Sequence, residues 1–423
     1  MPRKAGRVTR DGARASSDAP NPPSPLPLHR IAAPSLGPPR PLTLPAGAQV
    51  WHVTTYAEVW TVLTDPRFTR VGILGVGTTD VIEAPNVMDQ ESSILNADDA
   101  DHLRLRRLVQ RGFTPRYIAT WRPWVASVVD ELVDTLISTG PPADLVPAFN
   151  AALPMRVICR LIGVPEADQS RLREWGYRAM SLSAFPAEEV RSAMTEFADY
   201  ITNLAAARRA QPGDDLLTSL VSARDEADAL TDGELVGLVR DLIIGGYETT
   251  MTALGNSLIA LLDDDRRLWR QLTDQPHLAA TAMEELFRRV PLGDGITEAG
   301  LLRRTTEDVE LGGVTLPTGS IVAAGTVCAN LDPAAFPQPD DIDLTRRPTT
   351  PILTFGAGPH YCLGAWLARL ELELSLRHLA ARLPTLGLDV ATDQLPFTAG
   401  LMTRGPAALP VTWSQARDGI PAP

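Results

Sequence analysis

Apolar residues recur every three or four positions through most of the chain, and this spacing predicts helices. Between residues 114 and 210 it marks four, at 118–137, 145–161, 166–182 and 187–209. Pro154 lies inside the second and is expected to bend it, and Gly163 and Pro165 close it. Thr231 and Glu234 then have the spacing of a capping box. The helix they open runs to residue 262, roughly 48 Å at 1.5 Å per residue. Further helices are expected at 56–63, stopped by Asp65 and Pro66, at 279–290 before Pro291, and after residue 365. Strand-like alternation is brief: 51–54, then 309–316 and 321–324 with a turn at Pro317 to Gly319, then short stretches between 395 and 413. The pattern predicts a mainly α fold, one helical domain with small peripheral β-sheets.

Residues 66–97 follow neither period, and loops of that length are uncommon unless functional. Their apolar members, Ile73, Val76, Val81, Ile82, Ile94 and Leu95, either line a ligand cavity or pack as the loop's own core. Residues 1–45, rich in Pro, Arg, Ser and Ala, read as a disordered or extended lead-in that ends by packing on the domain. The domain is expected over 46–415, with a tail at 416–423.

Composition narrows the function. The chain has 423 residues, 44% of them hydrophobic, and a net charge of −12, which does not recommend nucleic acid as a partner. No run of 18 apolar residues suggests a membrane span, and the lead-in lacks the apolar core of a secretory signal. Three irregularly spaced cysteines, Cys159, Cys328 and Cys362, fit a reducing, cytoplasmic setting better than a disulfide scaffold. Cys159, among apolar neighbours, is expected in the core.

Cys362 stands apart. It sits in the loop Phe355-Gly-Ala-Gly-Pro-His-Tyr-Cys-Leu-Gly364, just before a helix. Gly356, Gly358 and Gly364 let the backbone fold closely around the sulfur. The helix N-terminus and backbone N–H groups favour a thiolate there, a setting suited to a metal. On the long helix, Gly245 and Gly246 interrupt an apolar stretch at about 1 kcal/mol each relative to alanine. Close approach of a flat ligand would account for that, as would a locally opened turn. His102 and Arg106, four apart, place two donors on one helical face.

The spacing Phe355-x-x-Gly358-x-x-x-Cys362-x-Gly364 resembles the haem-binding loop of the cytochrome P-450 family of haem-thiolate monooxygenases. The resemblance covers about residues 45–415 and implies haem b with Cys362 as the axial metal ligand. It implies that His102, Arg106, Arg303 and His360 hold the haem propionates, with Arg304 a competitor for the role of Arg303. Glu248 and Thr249 match the family's acid–alcohol pair, which relays protons to dioxygen; Tyr247 replaces a histidine common in relatives. The other readings are a surface or bridging carboxylate for Glu248 and back-bonding to an earlier carbonyl for Thr249. Glu285 and Arg288 match a structural pair that fixes the segment before the cysteine loop. Asp341 and Leu331 stand where relatives carry arginines, so the third arm of that network is open, with Arg346 or Arg347 as substitutes.

The function implied is oxidation of an organic molecule, by hydroxylation or epoxidation, with dioxygen and two external electrons. Oxidative coupling or dehydrogenation without oxygen insertion is the alternative; a non-catalytic haem or carrier-recruiting protein is a weaker one. No flavin or iron–sulfur segment is present, so a ferredoxin and its reductase are the implied partners, met by a basic patch of Arg104, Arg107, Arg111 and Arg369. Ile94, Leu95, Leu292, Leu401 and Met402 are the candidate substrate-pocket residues. By family analogy the substrate is a secondary metabolite.

Overall fold

The computed structural model describes residues 27–30, 36–44, 49–73, 92–227, 230–293 and 301–414. Strands β1 (Arg40–Thr43) and β2 (Gln49–Val53) pair antiparallel, so the lead-in joins the body before residue 46. His29 and Arg30 also bond Asp263, at 2.9 Å and 2.5–2.6 Å. After α1 (Tyr56–Thr64) comes a two-residue strand, β3 (Phe68–Thr69). The expected cavity-lining positions Val76, Val81 and Ile82 lie outside the described residues, as does the tail.

The helical body contains α2 (Asp99–Val109), α3 (Pro115–Thr139), the short strand β4 (Ala143–Asp144), α4 (Ala152–Ile162), α5 (Gln169–Ala179), α6 (Ala187–Ala210), α7 (Leu216–Ala227), α8 (Asp232–Leu262), α9 (Arg267–Asp274) and α10 (Ala279–Arg289). Helices α7 and α9 fall where no helix is predicted from the sequence. The predicted helix at 145–161 is interrupted: Val146–Asn150 forms one widened π-type turn, and Ala151 N donates to Val146 O at 2.9 Å. Pro154 has no N–H to return to residue 150, so the expected bend takes this form.

A five-stranded sheet, ordered β1-β2-β8-β5-β3, combines β5 (Leu301–Thr305) and β8 (Ile321–Ala324) with the early strands; β2 and β8 run parallel. Strands β6 (Val309–Leu311) and β7 (Val314–Leu316) form a separate hairpin. It turns at Gly312 and Gly313, with φ of 56° and 77°, and not only at Pro317 as the alternation suggested. Helices α11 (Thr326–Asn330) and α12 (Ala365–Arg382) follow, then β9 (Gly387–Leu388) and β10 (Pro410–Thr412), which pairs with β4 and β9.

Helix α8 organises the core. Its capping box is formed, with Thr231 accepting from Glu234 N and the Glu234 carboxylate accepting from Thr231 N. It is buried along most of its length and packs on α4, α5, α6, α7, α9, α10 and α12. A helix apolar on every face belongs in a domain interior. A second, smaller core lies under the five-stranded sheet, built on Val53, Val59, Phe68 and Val322. Among the described residues no helix is long and apolar enough to cross a membrane.

Candidate active site

The cysteine loop bridges the two cores. Gly356 and Gly358 have φ of 68° and 67°, where only glycine is at ease. A side chain at Gly358 would also collide with the Leu63 carbonyl of α1. Gly364 differs from the expectation: its φ of −80° suits any residue, and a Cβ there would meet nothing within 4 Å. The loop closes when Cys362 N donates to Phe355 O at 2.8 Å. The Phe355 ring lies 4.9 Å from Phe287 and under the Arg369 guanidinium at 4.4 Å. Burial raises the Cys362 thiol above its ordinary pKa, outweighing the backbone N–H groups of Gly364 and Ala365 and the charges of Arg106 and Arg369. The helix terminus therefore does not by itself make a thiolate here. Cys362 is nonetheless an exposed residue.

Near this loop lies a surplus of buried positive charge. Arg70 and Arg303 are 6% and 2% exposed. Burial lowers Arg70 to about 9, with Arg303 adding to the effect and Asp98 opposing it. Burial likewise lowers Arg303 to about 10. Arg303 points inward and Arg304 outward, as strand alternation requires. The Arg70 Nε has no partner, and one Arg303 nitrogen donates to Leu302 O at 2.8 Å. Asp98 is the carboxylate of this group. Burial would raise its pKa, but bonds from His360, Thr69 and Arg70 N hold it well below the usual range.

The rings of His102 and His360 lie against each other at a tilt of 35°, with centroids 4.1 Å apart. Burial, with the neighbouring His360 and Arg106, lowers His102 to about 4, so it is a neutral donor at pH 7. His360 bonds Asp98 at 2.9 Å, and Arg106 donates to Tyr361 O at 2.7 Å. The four residues expected to hold propionates thus gather near one another. Arg70 and Asp98 complete the group and carried no such signal in the sequence: one follows a two-residue strand, and the other reads as a helix-start acid.

On α8 the two glycines separate. Gly245 is exposed in mid-helix, and a Cβ there would meet nothing within 4 Å. Gly246 corrects the expectation of a ligand contact, since its Cβ would come within 2.7 Å of Ile158 Cδ1 on α4. It serves helix packing. Thr249 Oγ1 donates to Gly245 O at 2.6 Å, the back-bond that was the alternative reading of this residue. Glu248, 1% exposed, accepts from Thr403 Oγ1 at 3.3 Å, while its Oε2 has no partner. Burial lifts its pKa to about 7 against that hydrogen bond, so it holds a proton near neutrality.

The Glu285–Arg288 pair is buried and bidentate, at 2.9 Å twice. The open third arm is Arg346, whose Nε lies 3.0 Å from Glu285 Oε2. Arg288 and Arg346 also cap the carbonyls of Asn330, Pro337, Gln338 and Pro339 at 2.5–3.0 Å.

The pocket candidates fall into two groups. Leu401 and Met402 join residues 180–184: Met402 N donates to Met180 O, and Gly400 O accepts from Leu182, Ser183 and Ala184. Leu292 is tied to that segment through Arg404 N. Ile94 is half-buried and Leu95 38% exposed, following Ser93, which donates to Asp241 of α8 at 2.6 Å. Among the described residues no hydrogen bond joins the two groups. Of the expected basic patch, Arg104 pairs with Glu234 and Arg369 with Glu284, whereas Arg107 and Arg111 are exposed. A cleft of about 420 Å³ beside the loop is lined by Trp60, Glu284, Ile352, Gly358, Tyr361 and Arg369.

This donor set fits the haem that the sequence resemblance implies. It offers one exposed cysteine, a glycine with open space above it, and buried guanidinium groups in excess of carboxylates, suited to a dianionic ligand. Comparison with known proteins agrees. A family profile described as Cytochrome P450 matches residues 266–383. The mycinamicin IV hydroxylase/epoxidase of Micromonospora griseorubida is 42% identical, over 87% of this chain and 91% of that protein. Nocardicin C N-oxygenase of Nocardia uniformis subsp. tsuyamanensis is 41% identical, over 88% and 91%. A solved cytochrome P450 with biaryl coupling reactivity superposes with a TM-score of 0.82 at 38% identity, covering 89% of this chain and 93% of that one.

Proposed function

From the premise that this chain belongs to the cytochrome P450 family, and is a haem-dependent monooxygenase oxidising an organic molecule with dioxygen, we propose the roles of its residues. Cys362 is the thiolate ligand of the haem. Arg70, Arg106, Arg303 and His102 hold the propionates, and His360 orders the group by fixing Asp98. Haem, when bound, supplies the redox chemistry at its iron, and a thiolate ligand favours O–O cleavage. The observation that carries the assignment is the exposed Cys362, set at a helix start beside buried arginines short of carboxylates.

The rest is proton delivery and exclusion of water. Glu248, with a pKa near 7, is a reservoir that can give and regain a proton at neutral pH. Thr249 faces a different direction about 100° around the helix. Its hydroxyl proton is held on the carbonyl of Gly245, where a Cβ would meet nothing within 4 Å. Arg288, Glu285 and Arg346 keep the segment before the loop rigid.

Electrons come from a ferredoxin that meets the exposed Arg107 and Arg111, and the enzyme works in the cytoplasm. The substrate is a secondary metabolite, with Leu401 and Met402 on its pocket wall. Two measurements test the reading. The reduced protein with carbon monoxide should show the red-shifted Soret band of thiolate ligation, lost in Cys362→Ala; a band that survives sinks the ligand assignment. Turnover under isotopically labelled dioxygen should place one labelled atom in the product; an unlabelled, dehydrogenated or cross-linked product would replace monooxygenation by oxidative coupling.

A further inference from the structure

A small cavity of about 10 Å³ lies against α8, lined by Asn150, Glu248, Met251, Thr252, Thr398 and Pro406 among others. That is room for one water. Three side-chain atoms on its walls have no partner in the protein: Glu248 Oε2 and both Nδ2 and Oδ1 of Asn150. Asn150 is 0% exposed, so its amide does not touch bulk solvent directly. Buried polar atoms are rarely left unpaired, and an amide with both ends unpaired beside a carboxyl in the same state marks a water site.

The backbone supports this. Asn150 ends the widened turn Val146–Asn150, and such turns recur at functional sites. Across the cavity Gly405 sits against Thr252, where a Cβ would come within 3.3 Å of the threonine hydroxyl. Glycines at 255 and 405 thus bring the turn, the helix and the 398–406 segment close enough to enclose a single small molecule. The hydroxyl of Thr403 holds the other oxygen of Glu248, leaving Oε2 for the cavity.

We propose that this cavity holds a water serving the acid of the central helix, with Asn150 as the positioning residue that keeps it against Glu248 Oε2. The inference rests on the reading of Glu248 as proton reservoir. When Glu248 has given up its proton, the water donates one to Oε2 as it accepts another from solvent, so that it remains water. Protons alone move, and nothing is oxidised. Glu248 is thereby reloaded from a face of α8 other than the one Thr249 occupies, so supply and delivery do not compete for the same space.

The test uses haem-loaded enzyme. Infrared difference spectra, with Glu248→Gln to assign the carboxyl band, report the hydrogen bonding of Glu248. In Asn150→Leu the band should move to higher frequency, because the carboxyl has lost a partner. Turnover should fall about tenfold in kcat at unchanged KM, with a larger solvent isotope effect. Asn150→Asp, which keeps an acceptor in place, should recover most of the rate. A merely structural asparagine would lower stability without moving the band. An unmoved band in folded Asn150→Leu overturns the proposal. So does a crystal structure of the unsubstituted enzyme with no water within hydrogen-bond distance of Glu248 Oε2 and the Asn150 amide, whether or not the leucine variant folds. Full turnover in Glu248→Gln would instead remove the reservoir reading itself.

Discussion

Replacing Arg346 by leucine tests how the segment before the cysteine loop is held. Arg346 bonds Glu285 at 3.0–3.1 Å and caps the carbonyls of Pro337 and Gln338 at 2.5 and 3.0 Å, with its side chain only 12% exposed. Hydrogen bonds to a buried charged group are worth about 1.5–3 kcal/mol each and do not add in full. Glu285 is not abandoned, because Arg288 still grips both its oxygens and Asp343 N donates at 3.0 Å. The cost should therefore stay at or below the roughly 3–5 kcal/mol of an uncompensated buried charge, and we expect about 2–4 kcal/mol for Arg346→Leu. Arg347→Leu, one residue on and exposed, should stay within about 0.5 kcal/mol of the parent. Arg346→Lys keeps the charge but loses the planar fork, and should recover less than half. Urea titrations followed by tryptophan fluorescence, with haem retention on a desalting column as second readout, measure all three. Equal stability of Arg346→Leu and the parent, or a larger loss at Arg347, would refute the assignment of the third arm.

The central helix gives two further expectations. Gly246→Ala drives a methyl into Ile158 and should destabilise by about 1–3 kcal/mol, offset in part by helix propensity. Gly245→Ala meets no protein atom and should raise apoprotein stability by about 1 kcal/mol while weakening haem uptake, both read by thermal shift with and without haem. Glu248 has a folded pKa of about 7 against 4.5 for the free group. The folded state thus binds more protons between those values, and stability falls as pH rises from about 4.5 to 7, by up to about 3 kcal/mol. Glu248→Gln should remove that slope, so its advantage over the parent should be larger at pH 8 than at pH 5; a slope unchanged by the substitution would contradict the burial of this carboxyl. Replacing Arg70 and Arg303 together by leucine should sharply reduce haem content while leaving the apoprotein folded, because two buried cations with few partners cost stability in the empty site; normal haem content would count against their role.

Much of this was legible in the chain. The capping box at Thr231 and Glu234, the span of α8 and the glycine loop around Cys362 follow from local spacing, since helix periodicity and positive φ are properties of neighbouring residues. Tertiary structure decided the rest, wherever a role depends on which distant atoms meet. Gly245 and Gly246 are indistinguishable in sequence, yet Ile158, nearly ninety residues earlier, fills the space beside one and not the other. Arg70 and Asp98 join the cationic group because β3 pairs with β5 and His360 reaches back to Asp98. Arg346 closes the network only when its segment folds back on Glu285. Asn150 looks like any polar residue at a helix break until the 398–406 segment shuts it in beside Glu248. Sequence sets local geometry and supplies the reactive groups. Burial, which fixes their protonation and their unmet hydrogen bonds, arises only from long-range packing.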